Sequence, residues 1–252
     1  MKIQYASDLH LEFRENKRLL ANNPLKPVGE ILLLAGDIVP FAILDEHDDF
    51  FDFVSDNFEA TYWVPGNHEY YHFDLAKKCD LIQEKIRSNV WLVNNTAVTH
   101  HGVRLIFSTL WTKIGMANRW PIQKGMADFH AIAFQGYSFT PDNYNDQHRQ
   151  CRHFLETELA KKTEKTFVVS HHVPTFFHYP EKYKTSILNE AFAVELFDLI
   201  EPSGADYWIY GHHHQPTPTF KIGNTSMLNN QLGYVSHHEH AAFDWGAVVE
   251  MK

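Results

Sequence analysis

At five places in this chain a short apolar run, rich in β-branched residues, stops at side chains that can hold a cation or move a proton. The run at 2–6 leads to Asp8 and His10, that at 31–35 to Asp37, and that at 61–64 to Asn67 and His68. The run at 166–170 leads to His171 and His172, and that at 207–210 to His212 and His214. Runs of this length and residue type read as strands, and further runs lie at 103–107 and 225–228, with Ala247-Val248-Val249 as a last strand. Their nearly continuous apolar character means that both faces are covered, which leaves two packed sheets or one sheet between helices. In open α/β architectures the loops after the strands share one rim, and ligands sit there. Asp8, His10, Asp37, Asn67, His171, His212 and His214 therefore form a candidate donor set for two metal ions, with His68 beside them.

Helical periods separate the strands. Cys151, Phe154, Leu155 and Leu159 recur at spacings of three and four in a segment ending near Lys162, and Thr140-Pro141 supplies a cap with proline at the first helical position. Leu75, Leu81, Ile82, Lys85 and Ile86 predict a second helix, and Ala191, Val194, Glu195, Leu196 and Leu199 a third. Residues 111–144 carry Trp111, Trp120, Phe129, Phe134, Tyr137 and Phe139 among several glycines, and read as a long irregular excursion. Long loops tend to be functional.

Composition sets the class. The chain has 252 residues, 44% hydrophobic and 21% charged, as one globular domain of residues 1–252 would have. A net charge of −9 argues against a large nucleic-acid footprint or an anionic membrane surface, since both require lysine and arginine to neutralise phosphates. Cys79 and Cys151 are too far apart in helical patterns to suggest a disulfide framework or a thiolate metal site. No apolar stretch is long enough to span a membrane, because 31–44 is broken by Gly36, Asp37 and Pro40. The expectation is a soluble, cytoplasmic protein.

Not every histidine motif carries information. Asp-x-His is expected about once by chance in a chain of this composition and occurs at Asp8/His10, Asp45/His47, Asp128/His130 and Asp146/His148. Only the first follows a strand, and Asp146/His148 reads as a solvated helix face. Gly211-His212-His213-His214 is different, because Gly-His-x-His is expected only about 0.06 times. Gly36-Asp37 and Gly66-Asn67-His68 add independent strand-end motifs. His72, His101, His178, His237, His238 and His240 read as surface or structural residues, His213 as facing away from the cluster, and Glu69 as either an orienting partner of His68 or a solvated acid.

In order and placement these blocks resemble the calcineurin-like metallophosphoesterases, over nearly the whole chain. The resemblance implies a four-layer αββα sandwich with two mixed β-sheets. It implies that Asp8, His10 and His214 hold one metal, that Asn67, His171 and His212 hold the other, and that Asp37 bridges them. It also implies His68 as the acid catalyst beside a metal-bridging hydroxide. Imidazole and carboxylate donors without thiolate suit manganese first, then iron or zinc. A carboxylate bridge and a second-metal clamp fit in-line attack on a phosphoryl group.

Departures from particular subfamilies narrow the expected substrate. The protein Ser/Thr phosphatases follow Gly-Asp with Val-Asp-Arg-Gly after one residue, whereas Gly36-Asp37-Ile38-Val39-Pro40-Phe41 lacks the Asp-Arg. Pro40 stands where purple acid phosphatases have tyrosine. Thr109-Leu110-Trp111 is similar to a segment of bacterial-type phosphodiesterases. The expected activity is thus hydrolysis of a small, nucleotide-type phosphate diester. The alternatives are a phosphomonoesterase or nucleotide pyrophosphatase using the same metals, and a non-catalytic interaction scaffold of the retromer type, which predicts lost ligands. The 111–144 excursion is expected either to form a lip over the metals, with Trp111, Trp120 and Phe129 against the substrate, or to bury its aromatics as a satellite cluster under a long loop, with His172 as a supporting or substrate-side group.

Overall fold

The first five strands are β1 (Lys2–Ala6), β2 (Ile31–Ala35), β3 (Ala60–Val64), β4 (Ile82–Arg87) and β5 (Val90–Asn94). Then come β6 (Thr96–His100), β7 (Val103–Ser108), a small hairpin of β8 (Ala133–Phe134) and β9 (Tyr137–Ser138), β10 (Thr166–Ser170), β11 (Tyr207–Ile209), β12 (Phe220–Ile222), β13 (Thr225–Leu228) and β14 (Val248–Glu250). The helices are α1 (Arg14–Asn22), α2 (Asp48–Asn57), α3 (Arg119–Gly125), α4 (Asp128–Ala131), α5 (Pro141–Leu159) and α6 (Phe197–Ser203). This computed structural model describes residues 1–161 and 165–251, so the expected helix end at Lys162 lies outside the described residues.

Two mixed six-stranded sheets result, ordered β14-β1-β2-β3-β5-β4 and β12-β13-β11-β10-β7-β6. β1, β2 and β3 run parallel in the first, and β7, β10 and β11 in the second. β2, β3 and β10 are buried at every residue, which is why their sequences do not alternate. Between the sheets Ile3, Ile31, Leu33, Phe107, Phe167 and Ile209 form a continuous apolar layer. On the outer faces, α2 packs on the first sheet, while α5 and α6 cover the second. The result is the expected αββα sandwich with mixed sheets.

Local chemistry sets the element ends. Thr140 caps α5 in a reciprocal box: its Oγ1 accepts from Asn143 N, and Asn143 Oδ1 accepts from Thr140 N. Two expected helices are corrected. Ile82–Arg87 is a strand pairing antiparallel with β5, preceded by a single 3-10 turn at Leu75–Lys77. The spacing of Ile82 and Ile86 suits either period, and edge pairing decides it. The third helix starts only at Phe197, because Ala193 bridges Val173 in an extended segment. Nor is the 111–144 excursion irregular: it holds α3, α4 and the β8-β9 hairpin. His148 is not on a solvated face either, since its buried Nδ1 donates to Trp111 O at 2.8 Å. Cys79 and Cys151 are free thiols. Among the described residues no helix is long and apolar enough to cross a membrane.

Candidate metal centre

The parallel strands β1, β2, β3, β10 and β11 all end on one rim, and several of the turns there pass through left-handed backbone. Asp8 (φ 55°), His10 (φ 48°), Asp37 (φ 54°), His212 (φ 82°) and His214 (φ 50°) all take up left-handed backbone. Aspartate, asparagine and histidine are the non-glycine residues that tolerate this region best. The turns are stitched together by the backbone, with Asp8 N donating to Gly36 O and His10 N to Asp37 O, each at 2.9 Å. Close approach explains Gly66, where a Cβ would stand 2.7 Å from His171 Nε2.

Seven side chains from these turns converge on two adjoining points. Around the first, His10 Nε2 and His214 Nε2 lie 3.0 Å apart, and Asp8 Oδ1 is 3.2 Å from His214 Nε2. Around the second, His171 Nε2 lies 3.0 Å from His212 Nδ1 and 3.1 Å from Asn67 Oδ1. Asp37 Oδ2 stands between them, 3.7 Å from His10 Nε2 and 3.4 Å from His171 Nε2. Asp8, His10, Asp37 and His214 make one group of mutually close donors, and Asp37, His171 and His212 another.

The chemistry of this donor set fits cations. The outward Nδ1 atoms of His10, His214 and His171 face Glu12 Oε1 at 3.0 Å, Glu239 Oε2 at 2.8 Å and the Ala35 carbonyl at 3.0 Å. These partners only accept, so each ring carries its hydrogen outward and aims a lone pair inward, as metal-bound histidines do. Lone pairs set 3.0 Å apart repel unless a positive charge lies between them. The electrostatics of the site point the same way, because without a cation the cluster draws protons onto two of these rings. Against burial, Asp37 pushes His171 up to about 9, and hydrogen bonds to Asp8 and Glu239 push His214 up to about 10. Burial works against Asp37 too, but the charges of His171 and His68 hold it well below the carboxylate range. Burial and the neighbouring His172 and His171 drive His212 down.

His68 stands at the edge of this cluster. Its N donates to Asp37 Oδ1 at 2.9 Å, its Nδ1 to Glu12 Oε1 at 2.9 Å, and its ring stacks on Tyr71 with centroids 4.1 Å apart. Burial opposes protonation of His68, yet Asp37 and Glu12 raise it above the ordinary imidazole value. Glu12 itself is held down at about 2, because the hydrogen bonds from His10 and His68 outweigh its burial.

Besides Glu239, three carboxylates support the cluster, and of these only Glu69 was singled out in the sequence. Glu12 is one. Asp128 is another: from α4 its Oδ1 accepts from Asn67 Nδ2 at 2.9 Å and from the Tyr71 hydroxyl at 2.8 Å, turning the Asn67 oxygen inward. Its only sequence signal was a chance-level Asp-x-His. The third, Glu69, is fully buried and does not orient the His68 ring. Its Oε2 accepts from Asp37 N and Gly66 N, and its Oε1 from Ile38 N and Trp63 Nε1. Burial and the nearby Asp37 push its carboxyl up to about 8, while the charge of His171 and the hydrogen bonds from Ile38 N and Gly66 N pull it the other way.

A pocket of about 400 Å³ opens over the donor atoms. Its walls include Tyr71, Met126, Tyr179, Leu188, Phe192 and Tyr234. The excursion reaches this wall only through Gly125, Met126 and Ala127, and the aromatic lip expected from sequence lies elsewhere. Trp111 is buried against Tyr144 and Phe139, Phe129 stacks on Phe139, and Trp120 is 70% exposed on the outer surface. His172 is buried behind His212 and hydrogen-bonded to Thr109 O, with burial and His171 holding it down at about 3. His213 turns its Nδ1 away from the cluster, to Gln215 N and Gln231 Nε2.

Comparison with known proteins agrees with this architecture. A protein of Acanthamoeba polyphaga mimivirus, described as uncharacterized protein L509, is 26% identical over 276 residues, spanning 99% of this chain and 96% of its own. The phosphopantetheinyl hydrolase of Mycobacterium tuberculosis superposes with a TM-score of 0.73 at 17% identity, covering 100% of this chain and 96% of that one, a likeness of fold. The family described as calcineurin-like phosphoesterase matches residues 1–216. With two facing mixed sheets, one rim of strand-end donors and that match over most of its length, the chain belongs to the calcineurin-like phosphoesterases and is a phosphate-ester hydrolase.

Proposed function

We propose that this enzyme is a phosphodiesterase acting on a small phosphate diester. The observation that carries the reading is the charge of the pocket. Among the described residues no lysine or arginine lines it, whereas Asp37 and Glu239 do, and beside the histidines at its floor the wall carries four tyrosines with Phe192, Met126 and Leu188. A monoester brings two negative charges near neutral pH and calls for cationic side chains beyond the metals. A diester brings one, and its second ester arm supplies apolar surface for such walls. The pocket volume suits an arm of nucleotide size. Phosphopantetheinyl hydrolysis belongs to the mycobacterial protein, and at 17% identity that structure lends the fold alone.

In this reading Asp8, His10 and His214 would hold one divalent cation and Asn67, His171 and His212 the other, with Asp37 within reach of both. Their nitrogen and oxygen donors suit manganese, iron or zinc. Bound there, the pair would supply positive charge for the phosphoryl oxygens and lower the pKa of water. The protein's own groups do the rest. Glu12, Glu239 and Ala35 fix the ligand rings, Asp128 fixes the Asn67 amide, and Tyr71 and Tyr234 shield the site from bulk water. His68 gives its proton to the departing ester oxygen as the phosphorus–oxygen bond breaks, a role worth about 10²–10⁴-fold.

The test is hydrolysis of bis(p-nitrophenyl) phosphate beside p-nitrophenyl phosphate by the manganese-loaded protein, with Asp37→Asn as the control for contaminating activity. Faster diester turnover that disappears in the control is the expected result. Faster monoester turnover would overturn the diester reading and leave the two-metal site standing.

A further inference from the structure

Glu12 lies two residues beyond His10, largely buried, and one of its oxygens serves two imidazoles. Oε1 accepts from His10 Nδ1 at 3.0 Å and from His68 Nδ1 at 2.9 Å, while Oε2 is buried without a partner among the described residues. Taking His68 as the proton donor proposed above, we infer that Glu12 is a positioning residue for proton delivery, fixing the His68 ring so that its transferable proton sits on Nε2 and faces the pocket.

The need for such a residue follows from the ring's surroundings. Tyr71 stacks on His68 at 4.1 Å and the edge of His10 meets it at 4.5 Å, which together fix the plane of the ring. Stacking cannot tell an imidazole from the same ring flipped about Cβ–Cγ, because the two have nearly the same shape. A hydrogen bond can. With Nδ1–H held by a carboxylate, Nε2 turns toward the Tyr234 hydroxyl, 3.4 Å away on the pocket wall. In the charged ring both nitrogens carry hydrogen and only Nε2–H is free to leave. Its proton passes to the ester oxygen, which takes the electron pair of the breaking phosphorus–oxygen bond. The neutral ring then keeps its Nδ1 hydrogen on Glu12 and is recharged at Nε2 from water. Because the same oxygen holds His10, the acid and one proposed metal ligand are aligned by one atom.

The experiment is a double-mutant cycle joining Glu12→Ala and Glu12→Gln to His68→Asn, at saturating manganese with bound metal measured in every variant. Rates are read on bis(p-nitrophenyl) phosphate, whose leaving group departs without a proton, and on diphenyl phosphate, whose leaving group needs one. Glu12→Ala should slow the diphenyl ester about 10²-fold and the nitrophenyl ester by less than about tenfold. Glu12→Gln, which keeps a carbonyl oxygen, should stay within about tenfold of wild type on both. In the His68→Asn background Glu12→Ala should not change the ratio of the two rates. Nitrogen-15 spectra of the zinc-loaded protein give a second readout: the His68 signals, identified by their loss in His68→Asn, should show hydrogen on Nδ1 in wild type and on Nε2 in Glu12→Ala. Equal slowing of both esters, additive with His68→Asn and tracking lost metal, would overturn the inference and leave Glu12 serving His10 alone. Unchanged rates or an unchanged His68 tautomer would overturn it too. If Glu12→Ala does not fold, Glu12→Asp withdraws the oxygen by one methylene and is read the same way. Should wild type cleave neither diester, the phosphodiesterase reading fails separately, and the same cycle on p-nitrophenyl and phenyl phosphate still decides Glu12.

Discussion

Replacing Glu69 by glutamine changes one oxygen to an amide nitrogen and adds no volume, so its effect isolates hydrogen bonding. In the native protein each Glu69 oxygen accepts two N–H donors: Asp37 N at 3.0 Å and Gly66 N at 2.6 Å on one, Ile38 N at 2.7 Å and Trp63 Nε1 at 3.0 Å on the other. None of these partners can receive a hydrogen. Whichever way the glutamine turns, its amide group meets two donors, and two buried N–H groups lose their acceptor. Each orphaned donor costs about 1–3 kcal/mol, which sums to about 2–6 kcal/mol for Glu69→Gln. At roughly 2–4 °C per kcal/mol for a chain near this size, a mid-range loss lowers Tm by roughly 8–16 °C. Thermal and urea unfolding at neutral pH measure it. The opposing force is burial together with Asp37, which pushes the carboxyl up to about 8. A protonated carboxyl is well mimicked by an amide, so a variant within about 0.5 kcal/mol of wild type would refute the claim that the ionised carboxylate holds this turn.

His68→Asn should bind manganese as wild type does and lose about 10²–10⁴-fold in turnover, read by metal analysis beside steady-state kinetics. Phe129→Ala should destabilise by about 3–5 kcal/mol with KM unchanged, since Phe129 packs on Phe139 and Tyr144. Trp120→Ala, on the outer surface, should leave both stability and KM near wild type in the same assays. Metal binding should release protons. His171 at about 9 and His214 at about 10 are charged at pH 7, and a ligand must be deprotonated. The logarithm of the affinity for each manganese ion should thus rise with pH at a slope near one between about pH 7 and 8, two protons being released for the pair, as calorimetry in buffers of different ionisation enthalpy can show. Without metal the sign reverses: these raised values stabilise the fold below about 6.5, and that contribution fades as pH climbs through 9 and 10.

The donor set was legible because each of its turns follows an apolar strand, and a strand end fixes where the next residues go. Ala6, Ala35, Val64, Ser170 and Ile209 end strands that sequence alone places within a residue or two. The edge strand at Ile82–Arg87 was not legible, since a strand with one partner and exposed Gln83, Glu84 and Lys85 shows no buried run. Its antiparallel neighbour Val90–Asn94 was missed with it. Glu12, Asp128 and Glu239 were hidden for another reason. A supporting carboxylate is defined by which N–H or O–H groups it meets, and Asp128 meets Asn67 from 61 residues away. Aromatic richness in 111–144 signalled a packed cluster, and nothing in it distinguished packing from contact with a ligand.

The left-handed turns at Asp8, His10, Asp37, His212 and His214 set function against durability at single positions. A non-glycine residue held in that region costs on the order of 1–3 kcal/mol, which glycine would not. Drift toward a tougher fold would therefore run through loss of the donors themselves, one turn at a time. A relative that had abandoned chemistry would be recognised by glycines on this rim, and by its resistance to heat.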